Sequence, residues 1–277
     1  MIIFGVDFTS RPTRTKPITI ARGRLTGAVL ELDVLQACES FDAFSAVLAA
    51  PGPWVGAFDF PFGLPRELIE ILGWPDRWDA LIDFYATLSR AQIRETFKAF
   101  CDARPAGSKF AHRACDLPAR ASPSMKWVNP PVAWMLHAGA PLLKRAGVCM
   151  PLVRENGDSR IALEGYPGYL ARRLIGNTSY KSDDRRKQTT QRRAARLELV
   201  ARIEGAPMGC DAAPGPEVVL TLSLRRQCVA DASGDSLDAV LCAVAAARGA
   251  GQARSGYGLP ANVDPLEGWI VGVPAPD

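Results

Sequence analysis

Two aspartates, Asp235 and Asp238, stand at the start of an apolar segment whose hydrophobic residues recur with helical spacing. Residues three apart share one face of a helix, so the two carboxylates are expected to be neighbours. They repel each other unless a cation, a proton or solvent compensates their charge. A structural alternative is that Asp235 is the helix N-cap and Asp238 favours the positive end of the helix dipole. The pair alone leaves both interpretations open.

Three further carboxylates lie at the ends of apolar segments that are typical of buried strands: Asp7, Asp59 and Glu164. Burying a lone carboxylate is costly, so such residues have a partner or face solvent. We expect the first and fourth strands to be parallel neighbours about 4.8 Å apart, which brings Asp7 close to Asp59. Ligands bind at this carboxyl edge in open α/β sheets.

Clustered carboxylates in a chain with two histidines suit a hard cation such as Mg²⁺ or Mn²⁺. Two ions about 4 Å apart can activate water and stabilise the leaving oxygen in phosphodiester hydrolysis. We find no nucleophile elbow, Walker loop or dinucleotide-binding glycine motif. Structural alternatives exist: Asp7 caps a turn, Asp59 begins an Asp-x-Pro turn, or Glu164 is a solvated strand end.

The segment 181–203 is rich in lysine and arginine. Its charges form either a solvated helix face, with Leu197, Val200 and Ile203 packed inward, or a surface that contacts nucleic-acid phosphates. Under the second interpretation, four residues are candidate contacts: Arg185, Arg186, Arg192 and Arg193.

The acidic residues are positioned by predicted strands and helices. The order of these elements indicates an α/β layer architecture within a single domain, 1–277. The segments with strand character are a three-stranded meander over 1–37 and the runs 54–60, 148–154, 160–164 and 268–271. The span 65–147, called the insertion below, is predicted to be a mostly helical insertion or cap. Helices are predicted at 41–50, 66–72, 78–101, 131–143, 168–175 and 218–230, although the β-branched start of the last also allows a strand.

Composition predicts an ordinary globular protein, since 48% of the 277 residues are hydrophobic and 22% are charged. The net charge of +4 dictates no partner. Seven cysteines without a C-x-x-C pair favour reduced thiols, and the start of the chain has no basic leader. No apolar run approaches the ~20 residues of a membrane span. We therefore expect a soluble cytoplasmic protein.

Five short motifs resemble, in order, those of domain-of-unknown-function family 429, whose members are regarded as predicted nucleases of the ribonuclease H-like fold. The motifs are Gly5-Val6-Asp7, Asp59-x-Pro61-x-Gly63-Leu64-Pro65, Glu164-x-x-Pro167, Asp235-x-x-Asp238-Ala239 and Glu267-Gly268-Trp269. The Asp-x-x-Asp-Ala helix is also similar to the last acidic helix of RuvC-type junction resolvases.

This resemblance implies an α/β, ribonuclease H-like mixed five-stranded sheet of order 3-2-1-4-5, flanked by helices. It also implies a metal site formed by Asp7, Asp59, Glu164 and Asp235 or Asp238. In that site Asp7 would bridge two Mg²⁺ or Mn²⁺ ions, and Asp238 or Asp235 would bind the ion that positions the water. We favour Asp238, which directly precedes the alanine of its motif. The predicted function is divalent-metal-dependent hydrolysis of phosphodiester bonds in DNA or RNA by a two-metal-ion mechanism. For the insertion, the resemblance implies no structure or role.

Two alternatives stay open. Residues 5–10 could be the phosphate-binding hairpin of an actin-like phosphotransferase or ATPase, although Phe8 stands where that hairpin needs glycine and no second lobe is visible. The chain could also be a non-catalytic binding module that keeps the fold. Metal should stabilise a nuclease, ATP should stabilise a phosphotransferase, and Mn²⁺ should give no saturable stabilisation of a binding module.

Overall fold

A mixed sheet of six strands forms the centre of the molecule, whose computed structural model describes residues 1–205 and 215–275. The strands are β1 (Ile2–Asp7), β2 (Ile18–Thr26), β3 (Val29–Cys38), β4 (Trp54–Phe58), β5 (Arg160–Glu164) and β6 (Glu217–Leu220). Their order across the sheet is β5-β4-β1-β2-β3-β6. β1 is antiparallel to β2 and parallel to β4, and β5 is parallel to β4. The carboxyl ends of β1, β4 and β5 therefore meet at one edge.

The sheet has one strand more than the five that the resemblance implied, and its order β5-β4-β1-β2-β3-β6 adds β6 beside β3. β6 pairs in parallel with β3, and the helix predicted over 218–230 is divided. Its β-branched start extends the sheet, and the helix begins after Thr221, whose hydroxyl accepts the amide of Leu224. The segments 148–154 and 268–271 form isolated bridges and turns instead of the predicted strands.

Ten α-helices occur in the described part of the chain. They are α1 (Phe41–Leu48), α2 (Arg66–Leu72), α3 (Trp78–Thr87), α4 (Arg90–Asp102), α5 (Asp116–Ala119), α6 (Val132–Ala146), α7 (Pro167–Ile175), α8 (Thr190–Gly205), α9 (Leu222–Ala230) and α10 (Asp235–Gly251). The predicted helix 78–101 is two helices, because Ser89 and Gln92 form a capping box that starts α4.

Each face of the sheet has its own hydrophobic cluster, because successive strand side chains point to opposite faces. Phe4 and Val6 of β1 pack with α1 and with the insertion, which contains α2 to α6. Ile3 packs on the other face with α8, α9 and α10. The insertion therefore covers one face, and α10 crosses the other.

Gly5 allows α10 to lie directly on β1. A Cβ atom at this position would stand 2.0 Å from the carbonyl oxygen of Ala239 and 2.0 Å from the amide nitrogen of Ala243. No side chain fits in that space, so glycine sets the close approach of strand and helix. This contact brings the first turn of α10 to the carboxyl end of β1.

Six described cysteines are free and buried, while Cys210 lies outside the described residues. Among the helices of residues 1–205 and 215–275, none combines the length and apolar character that crossing a bilayer requires.

Candidate metal centre

Asp7 and Asp59 are neighbours because β1 and β4 run parallel and in register. Val6 pairs with Phe58, and the amide of Asp59 continues the ladder by donating to the carbonyl of Val6 at 2.9 Å. By the alternation of strand side chains, Asp7 shares a face with Gly5, the residue on which α10 packs. The predicted approach of these two carboxylates is confirmed.

Asp238 comes from the first turn of α10 and is fully buried. The helix begins after Gly234, which has a left-handed φ of 84° and provides no side-chain cap. Asp231 caps the start of the helix instead, since its carboxylate accepts a hydrogen bond from the amide of Ser236 at 2.8 Å. The alternative role of Asp235 as the N-cap is therefore wrong.

Asp7, Asp59 and Asp238 form the acidic triad. One carboxylate oxygen from each lies within 4.8 Å of the corresponding oxygens of the other two. Asp7 is only 8% exposed and Asp59 is half-buried. Asp238 accepts hydrogen bonds from the hydroxyl of Tyr180 and the ammonium group of Lys181. Three carboxylates thus converge, and Lys181 pairs with one of them.

Burial and repulsion from neighbouring carboxylates raise the pKa values of Asp7 and Asp59. Burial, followed by the charges of Asp238, Asp235 and Asp59, raises the pKa of Asp7 well above its ordinary value. Burial and the charge of Asp238 likewise raise the pKa of Asp59 to about 7. A cation among the three carboxylates would relieve both effects.

Glu164 lies outside this triad because its side chain points to the opposite face of the sheet. It pairs with Phe58 in the β4–β5 ladder, whereas Asp59 is one residue further on. Its carboxylate accepts two hydrogen bonds from Arg113 of the insertion, at 2.7 and 2.8 Å, and the amide of Phe62 at 2.9 Å. Arg113 and Glu164 are both almost fully buried. The strand-end carboxylate that the sequence assigned to a metal thus forms a buried ion pair, and the alternative of a solvated strand end is wrong.

Arg113 also joins two other acidic residues to this pair. Its guanidinium group contacts the carboxylate of Asp116 at 2.9 Å and the backbone carbonyl of Glu267 at 2.9 Å. The carboxylate of Glu267 accepts the amides of Arg66 and Ala114, each at 2.8 Å. Arg113, Asp116 and Glu164, with the carbonyl of Glu267, are called the arginine network below.

Asp235 also lies outside the triad. Both of its carboxylate oxygens accept hydrogen bonds from Lys16, at 2.7 and 2.9 Å. Lys16 in turn contacts Asp183 at 3.1 Å. The structure therefore distinguishes the two aspartates of α10: Asp238 joins the triad, and Asp235 pairs with a lysine.

A cleft of about 660 Å³ opens beside the triad, with Asp59 and Glu164 in its lining. The insertion supplies one wall, which includes Arg120, Ser122 and Met135. Residues 165–168 and 171–172 and the segment 176–181 supply the other. No sequence motif singled out Arg120 or Tyr180 as a site residue, and Lys181 was only one member of the basic segment 181–203.

The four predicted phosphate contacts lie on a neighbouring surface rather than in the lining of this cleft. Arg185 and Arg186 are exposed in a short 3₁₀ turn. Arg193 is exposed on α8, and Arg192 donates to the hydroxyl of Ser179 at 3.1 Å. On the same helix Val200 and Ile203 are buried as predicted, but Leu197 is 47% exposed.

A family model matches residues 5–262 of the chain, and its description is a protein of unknown function, DUF429. The chain belongs to this family. The resemblance drawn from the short motifs is thereby confirmed. No curated protein and no solved structure matches the chain.

The matched residues include the whole triad, whose donor chemistry fits a hard divalent cation. Carboxylate oxygens are the ligands that Mg²⁺ and Mn²⁺ prefer, and Mg²⁺ is typically held by few carboxylates together with water or substrate phosphate. Asp7, Asp59 and Asp238 are the residues that could hold such an ion.

Proposed function

We propose that this protein is a divalent-metal-dependent nuclease that hydrolyses phosphodiester bonds in nucleic acid. The acidic triad carries the proposal. Its three carboxylates come from two strands and one helix, and they converge at the mouth of a cleft. A structural role alone gives no reason to bury mutually repelling carboxylates together.

The sheet supports a ribonuclease H-like fold for this activity. Inside the six-stranded sheet, the order β3-β2-β1-β4-β5 combines an antiparallel β1–β2–β3 meander with parallel β4 and β5. The helix that follows β6 and α9 places Asp238 over the central strand β1. The sixth strand lies at the far edge, beside β3, and leaves the site unchanged.

The carboxylates available in the free protein favour one resident ion. Glu164 and Asp235 are held by Arg113 and Lys16, and Tyr180 and Lys181 hold Asp238. Among the described residues, the triad oxygens without such a partner are those of Asp7 and Asp59. A second Mg²⁺ or Mn²⁺ would need ligands beyond the triad, which the phosphate of a bound substrate could supply. Bound divalent ions supply a nucleophilic water at neutral pH and stabilise the charge on the leaving oxygen.

Two residues beside the triad would control the position of Asp238. The buried hydroxyl of Tyr180 donates to one carboxylate oxygen, and Lys181 donates to the other. A hydroxyl partner such as Tyr180 fixes the orientation of a metal-ligating carboxylate, whereas the ammonium group of Lys181 balances its charge while no metal is bound. Lys181 also lines the cleft, where its positive charge would attract a phosphate. The exposed Arg185, Arg186 and Arg193, with the half-buried Arg192, would extend the basic surface for nucleic acid.

The phosphotransferase alternative receives no support from the segment 5–10. Phe8 is buried among Phe41, Phe44 and Phe60, with ring centroids 6.2, 5.7 and 4.6 Å away. A packed aromatic side chain occupies the position where a phosphate-binding hairpin needs an open glycine.

Replacement of Asp7 tests the proposal. We expect Asp7→Asn to abolish Mn²⁺-dependent cleavage of labelled DNA and RNA while the protein remains folded in thermal melts. The matched control is Asp33→Asn, which removes the same charge from an exposed position on β3. Cleavage by Asp7→Asn at the wild-type rate would exclude the proposed site.

A further inference from the structure

The cleft beside the triad has properties that the proposed function does not use. It is bounded on one side by the insertion and on the other by the chain that leaves β5. Because Asp59 belongs to its lining, a molecule in the cleft can extend to the triad. We propose, resting on the proposed nuclease function, that this cleft binds an unpaired nucleic-acid strand and that Arg120 of the insertion contacts its phosphate.

The charges of the cleft favour a phosphate on the wall away from the triad. Arg113 and Lys181 are paired with Glu164 and Asp238. By contrast, no ion pair joins Arg120 or Arg172 to a carboxylate anywhere in residues 1–205 and 215–275. Their hydrogen bonds go to carbonyl, amide and hydroxyl oxygens. These two guanidinium groups therefore provide positive charge that the protein itself does not neutralise.

Arg120 is held at the cleft by contacts from both walls. It ends α5 in a left-handed conformation with φ 50°, and its amide donates to the carbonyl of Leu117 at 2.9 Å. From the opposite wall, Arg172 donates to the carbonyl of Ala119 at 2.5 Å. The side chain of Arg120 itself is exposed and makes a long contact of 3.4 Å with Asn177. Its backbone is fixed while its guanidinium group remains available to a ligand.

Arg172 has a different role, because its guanidinium group already has several partners. It stacks on the ring of Tyr166 at 5.3 Å and contacts the end of α5. Arg172 is therefore a positioning residue that connects α7 to the insertion, and Arg120 is the residue expected to touch the ligand.

The size of the cleft favours a single strand over a duplex. A volume of about 660 Å³ lies in the range that encloses one drug-sized ligand. This is room for a nucleotide or two, whereas a duplex segment is far larger. The lining also offers hydrogen-bonding groups for sugar, base or phosphate: Ser122, Asn177, Thr178 and Ser179. Polar groups with positive charge along a groove are typical of proteins that bind single strands.

Fluorescence anisotropy with a labelled DNA or RNA strand tests this proposal. The titrations use the full chain in EDTA, so that neither cleavage nor metal binding contributes. We expect Arg120→Gln to weaken strand binding about tenfold, since a hydrogen bond to a charged group is lost. Arg120→Lys, which keeps the charge, should restore part of the affinity. Arg94→Gln is the matched control, because Arg94 is an exposed arginine on α4 of the same insertion and does not line the cleft.

Three results would overturn the proposal: Arg120→Gln binds the strand like the wild type, the duplex binds as tightly as the strand, or only a free mononucleotide binds.

Mn²⁺-induced thermal stabilisation of each variant reports separately on the triad. If Mn²⁺ stabilises the wild type and Arg120→Gln equally but strand affinity is unchanged, the strand proposal fails and the metal site stands. If the strand depends on Arg120 but Mn²⁺ gives no stabilisation, the metal site fails and the strand proposal stands.

Discussion

The acidic triad and the arginine network lie at the same edge of one sheet, yet their charges are balanced in opposite ways. In the network, one buried guanidinium group contacts two carboxylates and a carbonyl. In the triad, three carboxylates converge, and the ion pair of Lys181 is with only one of them, Asp238. Burial and the charges of the neighbouring carboxylates therefore raise the pKa of Asp7 well above its ordinary value. A buried carboxylate with its own arginine connects parts of the fold, and one without such a partner is suited to an external cation.

A single residue of register separates the two groups. Glu164 shares its row of the sheet with Phe58 and Val6, and Asp7 and Asp59 belong to the next row. Adjacent rows face opposite sides of a sheet. Glu164 therefore meets the insertion, while Asp7 and Asp59 meet α10.

The largest effect is expected from breaking the arginine network. Glu164→Gln should lower the free energy of unfolding by about 3 kcal/mol, because it leaves part of a buried guanidinium charge uncompensated. Urea denaturation measures this loss. The affinity for Mn²⁺ of the folded variant should stay within about twofold of the wild type. A stable variant that no longer binds Mn²⁺ would instead place Glu164 among the metal ligands.

A pH titration distinguishes the acidic triad from the arginine network, because the pKa of Asp59 in the triad is raised to about 7 in the folded protein. The pKa of Asp59 in the unfolded chain is about 3.9. Between these two pKa values, the folded protein retains a proton that the unfolded chain has lost. The stabilisation from this proton is complete below about pH 4 and disappears as the pH rises to 7. Metal binding requires the deprotonated carboxylate, so Mn²⁺ should bind about tenfold more tightly at pH 8 than at pH 6. Calorimetry at several pH values measures this change, and a flat profile would contradict it.

Lys181 is the cation that partly balances the triad in the free protein. Lys181→Gln removes a charge that competes with the metal, so Mn²⁺ should bind roughly fivefold more tightly. The metal-free variant should also have a lower melting temperature, because Asp238 loses its ion pair. Calorimetry and thermal melts measure the two changes. Weaker Mn²⁺ binding would mean that Lys181 supports the metal site instead of competing with it.

The smallest effect is expected for Asp235, whose pairing with Lys16 resembles the network more than the triad. Lys16 is 41% exposed, so solvent screens this ion pair. Asp235→Asn should cost less than about 1 kcal/mol and change Mn²⁺ affinity by less than about twofold. A large loss of Mn²⁺ affinity would make Asp235 a ligand.

Much of the candidate metal centre was predictable from short-range sequence patterns. Apolar segments that end in an acidic residue indicated β1, β4 and β5, and the parallel pairing of β1 with β4 brought Asp7 to Asp59. The helical spacing after Gly234 indicated α10. These signals depend on neighbouring residues in the chain and on one general rule of sheet geometry.

The remaining features depend on contacts between distant parts of the chain. Glu164 was assigned to the metal because a strand end shows a carboxylate but not its face, which a shift of one residue reverses. Its partner Arg113 is 51 residues away in the insertion, and no pattern connects them. The edge strand β6 was predicted only as an alternative to the start of a helix, because four residues are too short for a clear strand signal beside a helix.

Titration of the metal-free protein with Mn²⁺ in a calorimeter tests the central claim most directly. We expect saturable binding of one ion per chain without substrate, and loss of that binding in Asp7→Asn and Asp238→Asn but not in Asp33→Asn. Absence of saturable binding in the wild type, or equal binding in Asp7→Asn, would contradict the assignment of the acidic triad as a metal site.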